Sequence, residues 1–340
     1  AERVAARVGA DVSGYHPFDS RPAMRQLVRD LRPHAIAFVR TEIWPVLGVE
    51  AAAAGARVAL VNAALSATSS RLRGPARFLL GPAYRRLDAV GAVSRDAADR
   101  FRAFGIDGDR VFVTGDARFD QVWSRIQPLE RSVRNTQMLD LIRDDRPILV
   151  AGSTWPADED ILLTALTAIP VAQRPRIVIA PHEPREIYLQ QLEAKLDGAA
   201  MRHARLGALE AGEADHVTDV VIVDRVGVLA DLYAAATVAY VGGGFGNDGL
   251  HSVVEPAALG VPCLYGPRHG NATEAADLAH AGGGYVVHDE EILRTRITDL
   301  TTNATARTLA GTAAGTFVQS RLGGAAANAA LIAGLIATPS

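Results

Sequence analysis

Residues 242–249 read Gly-Gly-Gly-Phe-Gly-Asn-Asp-Gly, directly behind the apolar run at 238–241 and just ahead of His251, Ser252 and Glu255. A glycine-rich loop between a strand end and a helix start gathers free backbone N–H groups and the positive end of a helix dipole, which together favour an anionic ligand. Gly242, Gly243 and Gly244 would let a phosphate approach the backbone, with Phe245 beside it. Ser252-Val-Val-Glu255 has the S-x-x-E spacing of a capping box. The other reading has Glu255 accepting hydrogen bonds from ribose hydroxyls, and the surrounding glycines, which a cap does not need, favour it. Asn271 and Glu274 repeat the spacing, and there the cap is the preferred reading.

Four further clusters sit where strands should end. Ser153 and Thr154, in Gly152-Ser-Thr-Trp155, can donate to phosphate oxygens; taken alone, they read as a cap for a helix beginning near Asp158. His182 and Glu183 are either ligand contacts or polar surface, and the sequence leaves both open. In the first half, Glu42 within Arg40-Thr-Glu-Ile-Trp-Pro45 could take a proton from a hydroxyl, or pair with Arg40 or Arg118. Gly115-Asp-Ala-Arg118-Phe-Asp120 closes another strand. The chain has no G-x-S-x-G, P-loop lysine or H-E-x-x-H, and its glycines lack the context of a dinucleotide fingerprint, so hydrolase, NTPase, zinc protease and dehydrogenase readings lose ground.

The elements that would position these residues alternate. Apolar runs predict strands at residues 11–16, 35–40, 57–62, 89–94 and 110–115, and again at 147–151, 176–180, 220–223, 238–241, 262–265 and 284–287. Helical segments lie between them, including 21–31 behind Ser20 and 96–104 ahead of Gly105. This is the signature of an α/β fold with parallel sheets covered on both faces, whose ligands gather at the carboxyl ends of strands. The expected division is residues 1–125, a helical linker at 126–145, and 146–340 including the C-terminal helices, with a cleft between two doubly wound halves.

Bulk properties agree with a globular protein. The chain has 340 residues, 49% hydrophobic and 21% charged, with a formal net charge of −3, which argues against nucleic acid as a partner. Cys263 is the only cysteine, so there is neither a disulfide framework nor a cysteine-rich metal site. The apolar run at 325–338 is too short for a membrane span and reads as a terminal helix. The arginine-rich segment 66–86 reads first as a solvated helix face and, alternatively, as a basic surface for an anionic acceptor or lipid headgroups. Residues 1–8 read as the middle or end of a helix without an initiator Met or signal pattern, so an N-terminal piece is expected to precede Ala1.

Taken together and in order, Thr41-Glu-Ile-Trp-Pro45, Asn62-Ala-Ala-Leu-Ser66, Gly115–Asp120, Gly152–Trp155 and the stretch 242–266 with its His251-Ser-Val-Val-Glu-Pro run resemble the 3-deoxy-D-manno-octulosonic acid (Kdo) transferases over roughly residues 11–290. The resemblance implies a GT-B fold, with two Rossmann-like domains, an acceptor half and a nucleotide-sugar half. It implies metal-independent, inverting transfer of Kdo from CMP-Kdo to a lipid A precursor at the cytoplasmic face of the inner membrane, with no cofactor. By the same resemblance, Gly242–Phe245, His251, Ser252 and Glu255 hold CMP with help from Ser153, Thr154, His182 and Glu183; Glu42, Arg40 and Arg118 lie on the acceptor side. The sequence departs from the usual pattern at Arg40 (acidic), Arg118 (Lys), His182-Glu183 (Arg-His) and Ser252 (Asn). A membrane anchor, the first β-α-β unit and a Gly-Glu motif with the proposed base are expected upstream of Ala1, which leaves this chain's own turnover open. A non-catalytic nucleotide-sugar-binding protein and a GT-B enzyme using a UDP-sugar remain as alternatives.

Overall fold

A computed structural model of the chain describes residues 8–67, 69–126, 133–215 and 217–337. It divides into two compact units, Ala1–Asp120 with Arg321–Ser340, and Gln121–Ser320.

The first unit is built on four parallel strands, β1 (Ala35–Val39), β2 (Arg57–Ala63), β3 (Ala89–Ala92) and β4 (Val111–Val113), hydrogen-bonded in that order. β2 and β3 are buried almost throughout because helices cover both faces, which is why they read as continuous apolar runs. Met24, Phe38, Leu60, Tyr84, Val90 and Phe101 fill the core. No strand forms at 11–16. Val12 is 75% exposed and Tyr15 fully so; a segment that buries neither face gains nothing from pairing. Ser20 precedes helix Arg21–Leu31 as expected, yet its side chain makes no capping bond. Asp19 instead accepts from the backbone N–H groups of Val46 and Leu47, both at 3.0 Å, and so caps the helix Pro45–Ala53.

The second unit holds seven parallel strands: β5 (Ile148–Thr154), β6 (Arg176–Pro181), β7 (His203–Arg205), β8 (Val220–Ile222), β9 (Val238–Val241), β10 (Cys263–Tyr265) and β11 (Gly284–Val286). Their spatial order is β11-β10-β9-β5-β6-β8-β7. The chain therefore winds outward from β5 in one direction through β6 and in the other through β9. That reversal opens a crevice beside the carboxyl end of β5, where open α/β sheets bind ligands. β7 was not predicted: it has three residues, two of them polar.

The division of the chain differs from expectation at two places. Helix Val133–Ile142, within the expected linker, buries Met138, Leu139 and Ile142 in the core of the second unit; residues 127–132 of that linker, like residues 1–7, lie outside the described residues. The C-terminal helices do not stay together. Ala304–Gln319 belongs to the second unit and Gly324–Ala337 to the first. Within residues 304–337 an 18-residue stretch reaches a mean hydropathy of 1.3, apolar enough by composition for a membrane span. The helices part at residues 320–323 and have 16 and 14 residues, each short of the ~20 needed.

Candidate functional site

In the second unit the predicted site residues meet at the ends of β5, β6 and β9. The Gly242 N–H donates to Gly152 O at 2.9 Å, His251 N–H to Gly242 O at 3.1 Å, and His182 N–H to Thr154 O at 2.9 Å. The glycines are needed first by the fold. A Cβ on Gly242 would lie 2.2 Å from Ser153 O, on Gly243 2.1 Å from Gly249 O, and on Gly244 2.6 Å from Gly266 N; Gly243 also has φ of +93°. The loop lies so close to neighbouring backbone that side chains are excluded there.

A residue that the motifs did not single out holds this arrangement. Asp158 is fully buried, and its Oδ2 accepts from Gly243 N–H at 2.8 Å and Trp155 N–H at 3.0 Å, while its Oδ1 accepts from the Tyr240 hydroxyl at 2.8 Å. Burial and then Asp158 push the Tyr240 phenol well up, so it stays the donor. One carboxylate thus fixes both the helix start and the glycine loop. The three-residue interval from Trp155 to Asp158 was the available sign, but acidic residues in a helix's first turn are common.

Around this support lie three rings. His182 stacks on His251 with centroids 4.3 Å apart, Trp155 lies 4.8 Å from His182, and the Trp155 indole N–H donates to His251 Nε2 at 3.3 Å. Burial, then the neighbouring His182, lowers the His251 pKa below its ordinary value. Ser153 sits half-buried at φ of +54°. Thr154 is not available in the same way: it is 2% exposed and donates to Glu159 Oε1 at 3.3 Å. Burial raises the Glu159 carboxyl, with Lys195 and Thr154 working against it.

Neither capping box forms. Ser252 Oγ accepts from Val254 N–H at 3.3 Å, whereas Glu255 approaches Arg125 at 3.5 Å. Burial lifts the Glu255 pKa, Arg125 opposing it. Asn271 pairs both ends of its amide with the backbone of Leu250, at 3.0 and 2.9 Å, instead of capping its own helix. Phe245 packs against the core, and Glu183 forms an ion pair with Arg185. Arg268, also not anticipated, reaches Gly246 O at 3.2 Å and Asn247 Oδ1 at 2.6 Å and so braces the loop tip.

In the first unit the strand-end residues are used differently. Arg40 follows β1 at φ of +64°. Glu42 is 69% exposed, and its charged neighbour is Arg71 at 3.8 Å, neither of the two arginines expected. Arg118 pairs with Asp116 at 2.7 Å. Burial would raise the Asp116 carboxyl, but the bonds from Arg118 and the charge of Arg40 hold it below its ordinary value. Asn62 Oδ1 accepts from Ala117 N–H at 2.9 Å, and its own N–H donates to Asn328 Oδ1 at 3.0 Å. Asp120 accepts from Gly323 N–H at 2.7 Å and Ala325 N–H at 3.0 Å. Much of the Asn62 and Gly115–Asp120 pattern therefore anchors the helix Gly324–Ala337. Among the described residues no group of three or more His, Cys, Asp or Glu side chains is arranged to hold a metal ion.

The two α/β units, with the glycine loop at the switch point of the second, define a GT-B fold. The UDP-GlcNAc 2-epimerase of Neisseria meningitidis bound to UDP-GlcNAc is similar in structure, with a TM-score of 0.65 at 14% identity over 94% of this chain and 86% of that one. Sequence narrows the class. Residues 1–121 match the family model described as 3-deoxy-D-manno-octulosonic-acid transferase (kdotransferase). The 3-deoxy-D-manno-octulosonic acid transferase of Bordetella pertussis is 30% identical over 271 residues, 78% of this chain and 61% of that protein. The enzyme of the same name from Chlamydophila psittaci is 28% identical over 287 residues, 82% and 62% of the respective chains. The chain is thus similar in sequence to Kdo transferases, and it spans about three fifths of the length of those two relatives.

Proposed function

We propose that the chain is the GT-B part of a glycosyltransferase that moves Kdo from CMP-Kdo to a lipid A precursor. The observation that carries this reading is the convergence of Ser153, His182 and His251 around a glycine loop at the switch point of the second sheet, in a chain whose sequence relatives bear the Kdo transferase name. In this reading the loop, Ser153 and His251 hold the phosphate of the donor, and Glu255 receives the ribose hydroxyls. Fixed N–H donors and the imidazole stabilise the departing CMP.

The acceptor oxygen attacks the anomeric carbon as the bond to the CMP phosphate oxygen breaks, with inversion and without a metal or other cofactor. Its proton passes to a carboxylate. Glu42, exposed beside Arg71, is the candidate acceptor-side carboxylate within this chain. Arg40, beside Asp116, and Arg118, bound to it, supply positive charge on that side. The acceptor reading implies work at the inner face of the bacterial inner membrane.

Incubating the full protein with CMP-Kdo and a lipid A precursor tests the assignment. CMP release coupled to a Kdo-bearing lipid is the expected result; no release and no product overturns it. The similar epimerase is bound to UDP-GlcNAc, so a UDP-sugar enzyme on the same fold is the second reading. Stronger thermal stabilisation by UMP than by CMP would favour it.

A further inference from the structure

We propose that Trp155 is a positioning residue that presets His251 in one neutral tautomer, with its proton on Nδ1, so that this imidazole meets the donor phosphate as a hydrogen-bond donor. The inference rests on the nucleotide-binding reading of the second unit. The polarity of the contact between Trp155 and His251 allows one solution. An indole N–H can only donate, and Trp155 Nε1 lies 3.3 Å from His251 Nε2. That nitrogen must therefore offer its lone pair, and in the neutral ring the proton is left on Nδ1. The nitrogen not occupied by Trp155 is then the one that can serve a ligand, and it is a donor, the polarity a phosphate oxygen requires.

The indole is itself held in place. Its backbone N–H is bound by buried Asp158 at 3.0 Å, and the same carboxylate oxygen takes Gly243 N–H at 2.8 Å. His251 is fixed from the other side by its own backbone bond to Gly242 O at 3.1 Å and by the stacked His182 ring. The charged or titratable groups acting on His251 are His182, which disfavours its cation, and Asp158 and Asp248, which favour it. Protonation would place a hydrogen on Nε2 against the indole hydrogen, so Trp155 and His182 both oppose it. The site thus presents an oriented neutral donor, with the ring spared the choice of tautomer when the ligand arrives.

Trp155→Phe keeps an aromatic ring and removes the N–H. The test compares CMP with cytidine by calorimetry at pH 8, where the phosphate is fully ionised, and reads the imidazole nitrogens by long-range proton–nitrogen NMR. For the wild type the expected spectrum has His251 protonated on Nδ1. In Trp155→Phe the expected results are a mixed or reversed tautomer and a CMP-to-cytidine affinity ratio about tenfold lower, the worth of one bond to a charged acceptor, with cytidine affinity unchanged. A His251 protonated on Nε2 in the wild type overturns the proposal, even where the variant fails to fold. An unchanged affinity ratio in a folded variant also overturns it. Failure of the wild type to bind CMP at all would sink the nucleotide reading itself, while the tautomer measurement would still decide the role of Trp155.

Discussion

At the strand ends of the first unit, Asn62 and Asp120 direct their polar atoms at the chain's own backbone; beside those of the second, Asp158 and Asn271 do the same, while His251 and Ser153 stay half-buried and His182 exposed around the loop. Both units carry polar motifs at the same kind of position. In the first, Asn62, Thr114 and Asn328 form a connected set through Asn328 Oδ1, at 3.0 Å from both Asn62 N and Thr114 Oγ1. In the second, one buried carboxylate satisfies three donors and holds the surrounding side chains in place. A polar motif at a strand end marks a ligand site only where its hydrogen-bonding capacity is not consumed internally.

Substitutions should affect the two units differently. Gly243→Ala should have the largest effect, since it combines a φ of +93° with a Cβ 2.1 Å from a backbone oxygen. A loss of ~3 kcal/mol or more is expected, seen as a lowered denaturation midpoint, together with lost CMP binding. Asn328→Ala removes an acceptor from two donors in the buried part of the first unit, and should cost ~2 kcal/mol while leaving CMP affinity within about twofold, a range corresponding to ~0.4 kcal/mol. Asp120→Ala removes the cap of helix Gly324–Ala337, for about 1 kcal/mol, again without change in CMP affinity. Large loss of CMP binding in either first-unit variant would erase the distinction between the units.

The smallest effect is on pH dependence. His251 has a folded pKa below its ordinary value of 6.5, through burial and His182, so the unfolded chain binds its proton more readily. Its contribution to stability is full above that ordinary value and is lost as pH falls through the lowered one. Melting temperatures of wild type and His251→Gln should therefore differ by a constant amount at neutral pH and above, and the wild type should lose more on descending from pH 6.5. Parallel curves throughout would show that His251 is not shielded from its proton.

Most strands were legible because buried parallel strands are continuous apolar runs; β9 occupies the residues that the pattern gave. The misreadings share a cause. Asn271–Glu274 has capping spacing, but Asn271 binds Leu250, a partner remote in sequence. Residues 11–16 carry apolar side chains, yet Val12 and Tyr15 are exposed. The last helix, rich in Ala and Gly, carries no pattern saying which sheet it will cover; Asn328, one buried polar residue within it, specifies the first. Of the site, the glycine loop and histidines were visible as types, whereas the tautomer-setting indole and Asp158 became visible only through geometry.

Hydrogen–deuterium exchange of the full chain with and without saturating CMP shows which unit holds the nucleotide. Exchange should slow in peptides covering 152–155 and 242–255, with little change in those covering 62 and 115–120. Protection confined to the first unit, or absent from the glycine loop under saturating nucleotide, would contradict a nucleotide site in the second unit.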